Sequence, residues 1–171
     1  MITRDTLFEK LDMLGIAHRT MSHPPLFTVE DSKLVHDELP GGHAKNLFLK
    51  DKKGQLFLLV AEQASTVNMK TLHKQFGSAR LSFGKPELLM DILGMIPGAV
   101  NPFSVMNDSQ GRCKVWLDKA LLVHELVNFH PLENTSTTTI TSKDLLRFLD
   151  AVDHPADEID LTLDLTATPA A

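Results

Sequence analysis

Three short segments of the sequence place polar side chains or a flexible backbone where a ligand could bind. In the first, Lys45 and Asn46 come directly before an apolar run at residues 47–49. This arrangement puts a cation at the start of a predicted strand, where a fixed positive charge can bind a phosphate or a ribose. A lysine at a strand entrance can equally extend to water and bind nothing, so the residues alone leave both interpretations open.

The second segment is the loop at residues 98–102, which begins with Gly98 and Ala99 and ends with Pro102. Glycine lets a backbone approach a ligand closely, and Pro97 and Pro102 restrict the loop on both sides. Backbone N–H groups in such a loop can bind a carbonyl oxygen or an oxyanion. A plain turn between a helix and a strand explains the same residues equally well.

The third segment follows an apolar run at residues 126–129 and contains His130, Asn134 and Thr135. The threonines at residues 137–139 are typical of an ordinary strand, because β-branched side chains favour extended backbone. His130 and Asn134 lie at the predicted end of a strand, where side chains are better placed to contact a ligand.

Familiar catalytic and cofactor motifs do not occur in the sequence. It has no phosphate-binding glycine loop, no dinucleotide fingerprint, no serine-hydrolase elbow and no zinc-protease motif. The eight histidines are scattered, without the close spacing of metal ligands. Cys113 is followed closely by apolar residues and is more typical of a small core residue than of a nucleophile. We therefore expect neither a metal nor a cofactor.

Composition indicates one soluble globular domain, since 43% of the 171 residues are hydrophobic and 23% are charged. No apolar run approaches the ~18 residues of a membrane span, and the N-terminus lacks the layout of a signal peptide. The chain has a single cysteine, so no intrachain disulfide can form, and we expect a cytoplasmic protein.

The net charge of −5 is concentrated at the end of the chain. Six of the 22 acidic residues follow Arg147, and none of the 17 lysines and arginines does, so residues 1–147 carry a net charge near +1. A nearly neutral body does not indicate a nucleic-acid-binding surface, which usually has a clear basic excess. It allows a small local contact with the end of an RNA.

Hydrophobic periodicity predicts an α+β fold with a mixed sheet, because hairpins and helices alternate irregularly. Helices are expected at residues 3–14, 28–39, 69–76 and 86–93, with a last helix that begins at residue 141 or 142. Strands are expected at residues 16–21, 44–50, 55–61, 103–107, 113–117, 126–130 and 136–140. The turn at residues 51–54 predicts a hairpin, whose second strand is apolar on both faces and therefore central.

Residues 1–152 are expected to form one domain and residues 153–171 an acidic, flexible tail. The tail alternates leucine with aspartate and then ends in threonine, alanine and proline. Such a segment buries too little apolar surface to offset the entropy of ordering it.

Together, and in this order, the three segments resemble the YbaK-like prolyl-tRNA editing domains. The residues that carry the resemblance are Lys45-Asn46-Leu47-Phe48-Leu49, Gly98-x-x-x-Pro102 and His130-Pro131-Leu132-x-Asn134-Thr135. The resemblance extends from about residue 3 to residue 150. It implies a mixed, partly barrel-like sheet surrounded by helices, with a pocket at the mouth of the sheet.

The resemblance also implies a role for each matching residue. Lys45 would bind the terminal adenosine of the tRNA or its phosphate, Gly98 would bind the aminoacyl carbonyl, and His130 would line the amino-acid pocket. These three are the expected catalytic residues. The remaining residues expected to bind the 3′ end of the tRNA are Asn46, Ala99, Pro102, Asn134 and Thr135.

The implied activity is hydrolysis of mischarged proline tRNA, most simply alanyl-tRNA(Pro), by water and a hydroxyl of the substrate's ribose. The implied partners are this tRNA and, for delivery, prolyl-tRNA synthetase or an elongation factor, with no membrane and no DNA. Three alternatives stay open: a cysteine-specific deacylase of the same fold, a non-catalytic module that binds tRNA or a synthetase, and a hydrolase of another small ester.

Overall fold

The computed structural model describes residues 1–26 and 29–163. The helices in these ranges are α1 (Arg4–Met13), α2 (Val29–Glu38), α3 (Leu72–Phe76), α4 (Pro86–Leu93), a 3-10 helix (Pro102–Asn107), α5 (Lys119–Leu122) and α6 (Ser142–Ala151). The strands are β1 (Arg19–Ser22), β2 (Gly42–Asp51), β3 (Leu56–Glu62), β4 (Leu81–Phe83), β5 (Cys113–Asp118), β6 (Leu126–Phe129), β7 (Ser136–Thr141) and β8 (Asp157–Ile159).

The described strands form one mixed sheet in the order β1-β7-β6-β2-β3-β5-β8, and β4 pairs with β2 outside this path. Strand β2 is antiparallel to β3 from Ala44 to Lys50, which confirms the predicted hairpin. The first two residues of β2 pair in parallel with β6, and its last three pair with β4. Three strands therefore border β2, and the predicted α+β class with a mixed sheet is confirmed.

Apolar side chains cover both faces of β3. Leu56, Leu58 and Val60 belong to one core cluster, whereas Phe57 and Leu59 belong to a second cluster on the opposite face. Alternate residues of a strand point to opposite faces, so both faces of this strand are buried. The expected central position of β3 is therefore confirmed.

The predicted strand at residues 103–107 is wrong, because this segment forms the 3-10 helix. Pro102 lies at its first position, where a fixed φ and a missing N–H are tolerated. Phe103 is fully buried and packs edge-on against Phe129 and Phe148, with ring centroids 5.7 and 5.3 Å away. A short apolar run has the same pattern in a buried helix and in a strand, so periodicity did not separate the two.

The other predicted elements occur with small shifts of their ends. Thr3 caps α1 through its side chain, and Thr141 caps α6 in the same way. The first strand begins three residues later than predicted, and α3 is confined to residues 72–76. Thr28, the predicted cap of α2, lies outside the described residues.

The first part of the predicted tail is packed against the body of the protein, contrary to the expectation of a loose segment. Strand β8 pairs in parallel with β5, and Ile159 is buried in the second apolar cluster. His154 is also buried, and its Nε2 lies 2.9 Å from Oδ2 of Asp108. Two features that sequence periodicity does not register, a three-residue strand and a buried polar pair, hold this segment. Residues 164–171 lie outside the described residues.

Replacement of Ile159 by alanine is expected to destabilise the protein by ~2–5 kcal/mol, because it leaves a cavity in a packed cluster. The matched control is Leu163→Ala, since Leu163 is 56% exposed and Ile159 is 3% exposed. Urea unfolding of both variants measures the difference. Equal stabilities for Ile159→Ala and the unsubstituted protein would mean that this segment does not pack as described.

Candidate functional site

A cavity of about 440 Å³ opens where the start of β2, the end of β6 and helix α2 meet the loop at residues 98–102. Four of the predicted site residues line it, namely Lys45, Asn46, Gly98 and His130. They come from three parts of the chain that are more than 30 residues apart. The cavity is therefore built by the tertiary fold and not by a local motif.

Lys45 lies on β2 opposite Ala61 of β3. Its side chain is half-buried, and its ammonium donates a hydrogen bond to the backbone carbonyl of Ser65, in the turn after β3. The cation is thus held at the cavity by a fixed acceptor and does not extend freely into water.

Asn46 is the second predicted residue of β2 that lines the cavity. Its side-chain oxygen is buried and has no hydrogen-bond partner among the described residues. A buried acceptor without a partner is unfavourable by ~1–3 kcal/mol. This oxygen is therefore suited to accept a hydrogen bond from a ligand hydroxyl or amine.

The loop at residues 98–102 presents backbone to the cavity at Gly98. The φ of Gly98 is +89°, a conformation that side-chain-bearing residues rarely adopt. The side chain of Asn101 fixes the loop from inside, because its Nδ2 donates to the carbonyl of Ala99 at 2.9 Å. Ala99 packs against the core, and Pro102 is buried in the 3-10 helix. Gly98 and Val100 are thus the loop residues that line the cavity.

His130 follows β6 and is held in one orientation. Its Nδ1 donates to the carbonyl of Ser136 at 3.0 Å, because a carbonyl oxygen can only accept. Burial lowers the pKa of His130, and His23 lowers it further, whereas the bond to Ser136 opposes the change. The ring is accordingly neutral at pH 7, with Nε2 as the acceptor nitrogen.

Two histidines outside the three predicted segments also line the cavity. His36 of α2 and His43 of β2 pack with ring centroids 4.1 Å apart. Burial is the largest cause that lowers the pKa of each ring, and for His36 the neighbouring His43 adds to it. In the sequence they stand on either side of Pro40-Gly41-Gly42, residues that typically end a helix, and no motif marks them as ligand-binding.

Asn128 of β6 lines the cavity and also holds it together. Its Nδ2 donates to the carbonyls of Pro40 and Gly42 at 3.0 and 3.2 Å. Its Oδ1 accepts from the hydroxyl of Thr139 at 2.5 Å. All polar atoms of this buried side chain are satisfied, so Asn128 joins the start of β2 to β6.

Asn134 and Thr135, two of the predicted binding residues, do not line the cavity. Nδ2 of Asn134 donates to the carbonyl of Leu26 at 3.1 Å. The carbonyl of Thr135 accepts from the N–H of His23 at 2.9 Å, and its side chain is exposed. Both residues therefore hold the segment after β1, and Leu26 of that segment lines the cavity.

Within residues 1–26 and 29–163, no group of three or more His, Cys, Asp or Glu side chains is arranged to hold a metal ion. Cys113 is buried, and burial raises the pKa of its thiol well above the ordinary range. A nucleophilic role for this cysteine is therefore disfavoured, because the thiolate is the reactive form. No helix in these ranges is both long enough and apolar enough to cross a membrane.

Comparison with known proteins gives one consistent result. The family model of the aminoacyl-tRNA editing domain matches residues 23–148. The prolyl-tRNA editing protein ProX of Acetoanaerobium sticklandii is 34% identical, over 94% of this chain and 99% of its own. The prolyl-tRNA synthetase associated domain-containing protein 1 of Mus musculus is 36% identical, over 94% of this chain and 96% of its own.

The fold of this chain is similar to that of a solved structure. A protein proposed to be a trans-editing enzyme for prolyl tRNA synthetase superposes with a TM-score of 0.71 at 18% identity, over 94% of this chain and 97% of that one. At this identity the likeness supports the fold alone, whereas the family match and the two relatives cover the cavity and its residues. The chain therefore belongs to the aminoacyl-tRNA editing domain family.

Proposed function

We propose that this protein hydrolyses alanine from mischarged proline tRNA. The observation that carries the proposal is the convergence of Lys45, Gly98 and His130 on one cavity of about 440 Å³. The name of the ProX relative, a prolyl-tRNA editing protein, supports proline tRNA as the substrate. The residues and their chemistry support the choice of alanine and the mechanism.

Lys45 and Asn46 bind the terminal adenosine of the tRNA. The Lys45 ammonium supplies the positive charge for the phosphate or ribose, and the unpartnered Asn46 oxygen accepts a hydrogen bond from a ribose hydroxyl. A buried acceptor that gains its partner only with substrate favours the bound state. This pair holds the ester at the mouth of the cavity.

Water is the nucleophile in the proposed reaction. Its oxygen bonds to the ester carbonyl carbon and the carbonyl electron pair moves to the carbonyl oxygen. One of its two protons passes to the neighbouring ribose hydroxyl, which gives its own proton to the ester oxygen of the ribose. The N–H of Gly98 stabilises the oxyanion that forms. The oxyanion then re-forms the C=O bond, the ester C–O bond breaks, and its electron pair stays on the ribose oxygen, which already carries the relayed proton; free alanine and the tRNA hydroxyl are the products. An aminoacyl ester is already activated, so positioning and oxyanion stabilisation suffice without a side-chain nucleophile.

The size of the amino-acid end of the cavity gives the proposed selectivity. Val35, Val100 and Phe129 contribute apolar walls there, and His130 closes the polar side. A synthetase separates substrates that differ by one methylene by only ~1–3 kcal/mol, so a second site that admits the smaller amino acid completes the discrimination. A wall that admits alanine and excludes the proline ring serves this purpose. Cysteine is also small, so the rates of alanine and cysteine removal must be compared directly.

Lys45→Ala is expected to slow the loss of alanine from proline tRNA by about 100-fold or more, the size of effect seen when one charge-stabilising donor is removed. The measurement is a single-turnover time course on proline tRNA charged separately with alanine, cysteine, serine or proline. Lys143→Ala is the matched control, since Lys143 is an exposed lysine on α6 and should leave the rate unchanged.

Loss of alanine alone, abolished by Lys45→Ala, supports the proposal in full. Faster loss of cysteine than of alanine would overturn the specificity and keep the reaction. No loss of any amino acid would overturn the enzymatic function and favour a non-catalytic binding module.

The affinity for the aminoacyl end is expected to fall as the solution is acidified. The pKa values of His36, His43 and His130 lie below their ordinary value of 6.5, so the rings are neutral at pH 7 and gain protons only below about pH 6.5. Protonated rings repel the ammonium of a bound alanyl group. The dissociation constant of a non-hydrolysable alanyl-adenosine amide should therefore rise between about pH 7 and about pH 5.

Adenosine is the control for this titration because it lacks the ammonium. Its affinity should change much less over the same range. An identical pH dependence for the two ligands would show that the histidines do not face the amino acid.

A further inference from the structure

A buried carboxylate lies at the end of β5, separated from β2 by strand β3. Asp118 is 1% exposed and follows Leu117, which pairs with Val60 of β3. Its Oδ2 accepts the backbone N–H of Glu62 at 2.9 Å and the hydroxyl of Ser65 at 2.6 Å. Glu62 is the last residue of β3, and Ser65 lies in the turn that follows it.

The same turn holds the ammonium of Lys45. The carbonyl of Ser65 accepts the hydrogen bond from Lys45, and the N–H of Ser65 closes the turn by donating to the carbonyl of Glu62 at 2.9 Å. Ser65 therefore binds the Asp118 carboxylate through its hydroxyl and the Lys45 ammonium through its backbone. A single residue links the two groups.

The carboxyl group of Asp118 is itself fixed from a second direction. Its Oδ1 accepts the N–H of Ala120 at 3.0 Å and caps α5. With bonds to both oxygens, the carboxylate cannot rotate without breaking the cap or releasing the turn. Hydrogen bonds to a carboxylate are roughly twice as strong as those between neutral groups, so this anchor is rigid.

We propose that Asp118 is a positioning residue that acts through Ser65 to hold Lys45 ready for substrate. The inference rests on the proposed function because it takes Lys45 as the cation at the tRNA 3′ end. A lysine side chain loses up to ~2 kcal/mol of rotamer entropy when it is fixed. The hydrogen bonds that join Asp118 to Ser65 and Ser65 to Lys45, called the tether below, fix the lysine during folding. The entropy of fixing it is therefore not lost again when substrate binds or reacts.

Ser65→Ala tests the link directly, because it removes the hydroxyl and keeps the carbonyl that Lys45 binds. Asp118→Asn tests the anchor. Both are expected to slow single-turnover deacylation roughly 10- to 100-fold, the effect of a small displacement of a catalytic group. The matched control is Asp108→Asn, because the Asp108 carboxylate is 4% exposed and accepts the backbone N–H groups of Arg112 and Cys113. It should lower stability without lowering the rate of the folded protein.

Two further readouts separate positioning from general destabilisation. In a Lys45→Ala background, Ser65→Ala should cause no additional loss, because its effect passes through Lys45. In the substrate-free protein, the 15N signal of the Lys45 ammonium should be distinct in the unsubstituted chain and in Asp108→Asn. In Ser65→Ala, the Lys45 signal should move towards the chemical shift of exposed lysines.

The results distinguish failure of this inference from failure of the proposed function. An inactive unsubstituted protein would overturn the proposed function, and the Lys45 signal would still report on the tether. Full activity of Ser65→Ala, losses that multiply with Lys45→Ala, or an unchanged Lys45 signal would each overturn the positioning role of Asp118. Ser65→Ala retains every buried charge, so it tests the inference even if Asp118→Asn fails to fold.

Discussion

The site depends on the close approach of the start of β2 to β6. This approach is possible because two consecutive glycines, Gly41 before β2 and Gly42 as its first residue, stand at this point. A Cβ on Gly41 would lie 2.4 Å from the carbonyl oxygen of Leu126, and one on Gly42 would lie 2.8 Å from the ring of His124. The glycines let β2 pair with β6 at residues 42 and 43. Lys45 and Asn46 therefore enter the same cavity as His130, which directly follows β6.

Buried side chains that form hydrogen bonds hold the start of β2 against β6. Asn128 joins the turn before β2 to β6, and Thr139 of β7 satisfies its remaining oxygen. Asp118 fixes the turn on the other side of Lys45. Hydrogen bonds of this kind are directional, whereas apolar packing tolerates small shifts. The apolar core thus stabilises the sheet, and the polar groups decide where the side chains that line the cavity lie within it.

The sequence was sufficient for the features that local pattern controls. The hairpin between β2 and β3 followed from its turn, and the placement of Lys45, Gly98 and His130 in one cavity followed from the family resemblance. It was insufficient where tertiary packing decides. Ala99 lies in the predicted loop but faces the core, because successive residues of a loop cannot all face one cavity. Asn134 supports a wall through Leu26 and does not line the cavity.

Long-range contacts account for the residues that the sequence did not indicate. Asp118 and Ser65 are 53 positions apart and meet only because β5 pairs with β3. His154 and Asp108 meet across 46 positions and hold a segment whose composition is typical of a flexible tail. Composition and periodicity do not predict such pairs, because each of these residues alone is typical of an exposed loop or a helix cap.

The most direct test of this account is a map of where the aminoacyl end binds. Backbone amide shifts measured during titration with a non-hydrolysable alanyl-adenosine amide provide that map. The account predicts the largest changes at Lys45, Asn46, Gly98 and His130, and much smaller changes with the prolyl analogue. Changes centred away from this cavity, or equal changes with both analogues, would contradict it.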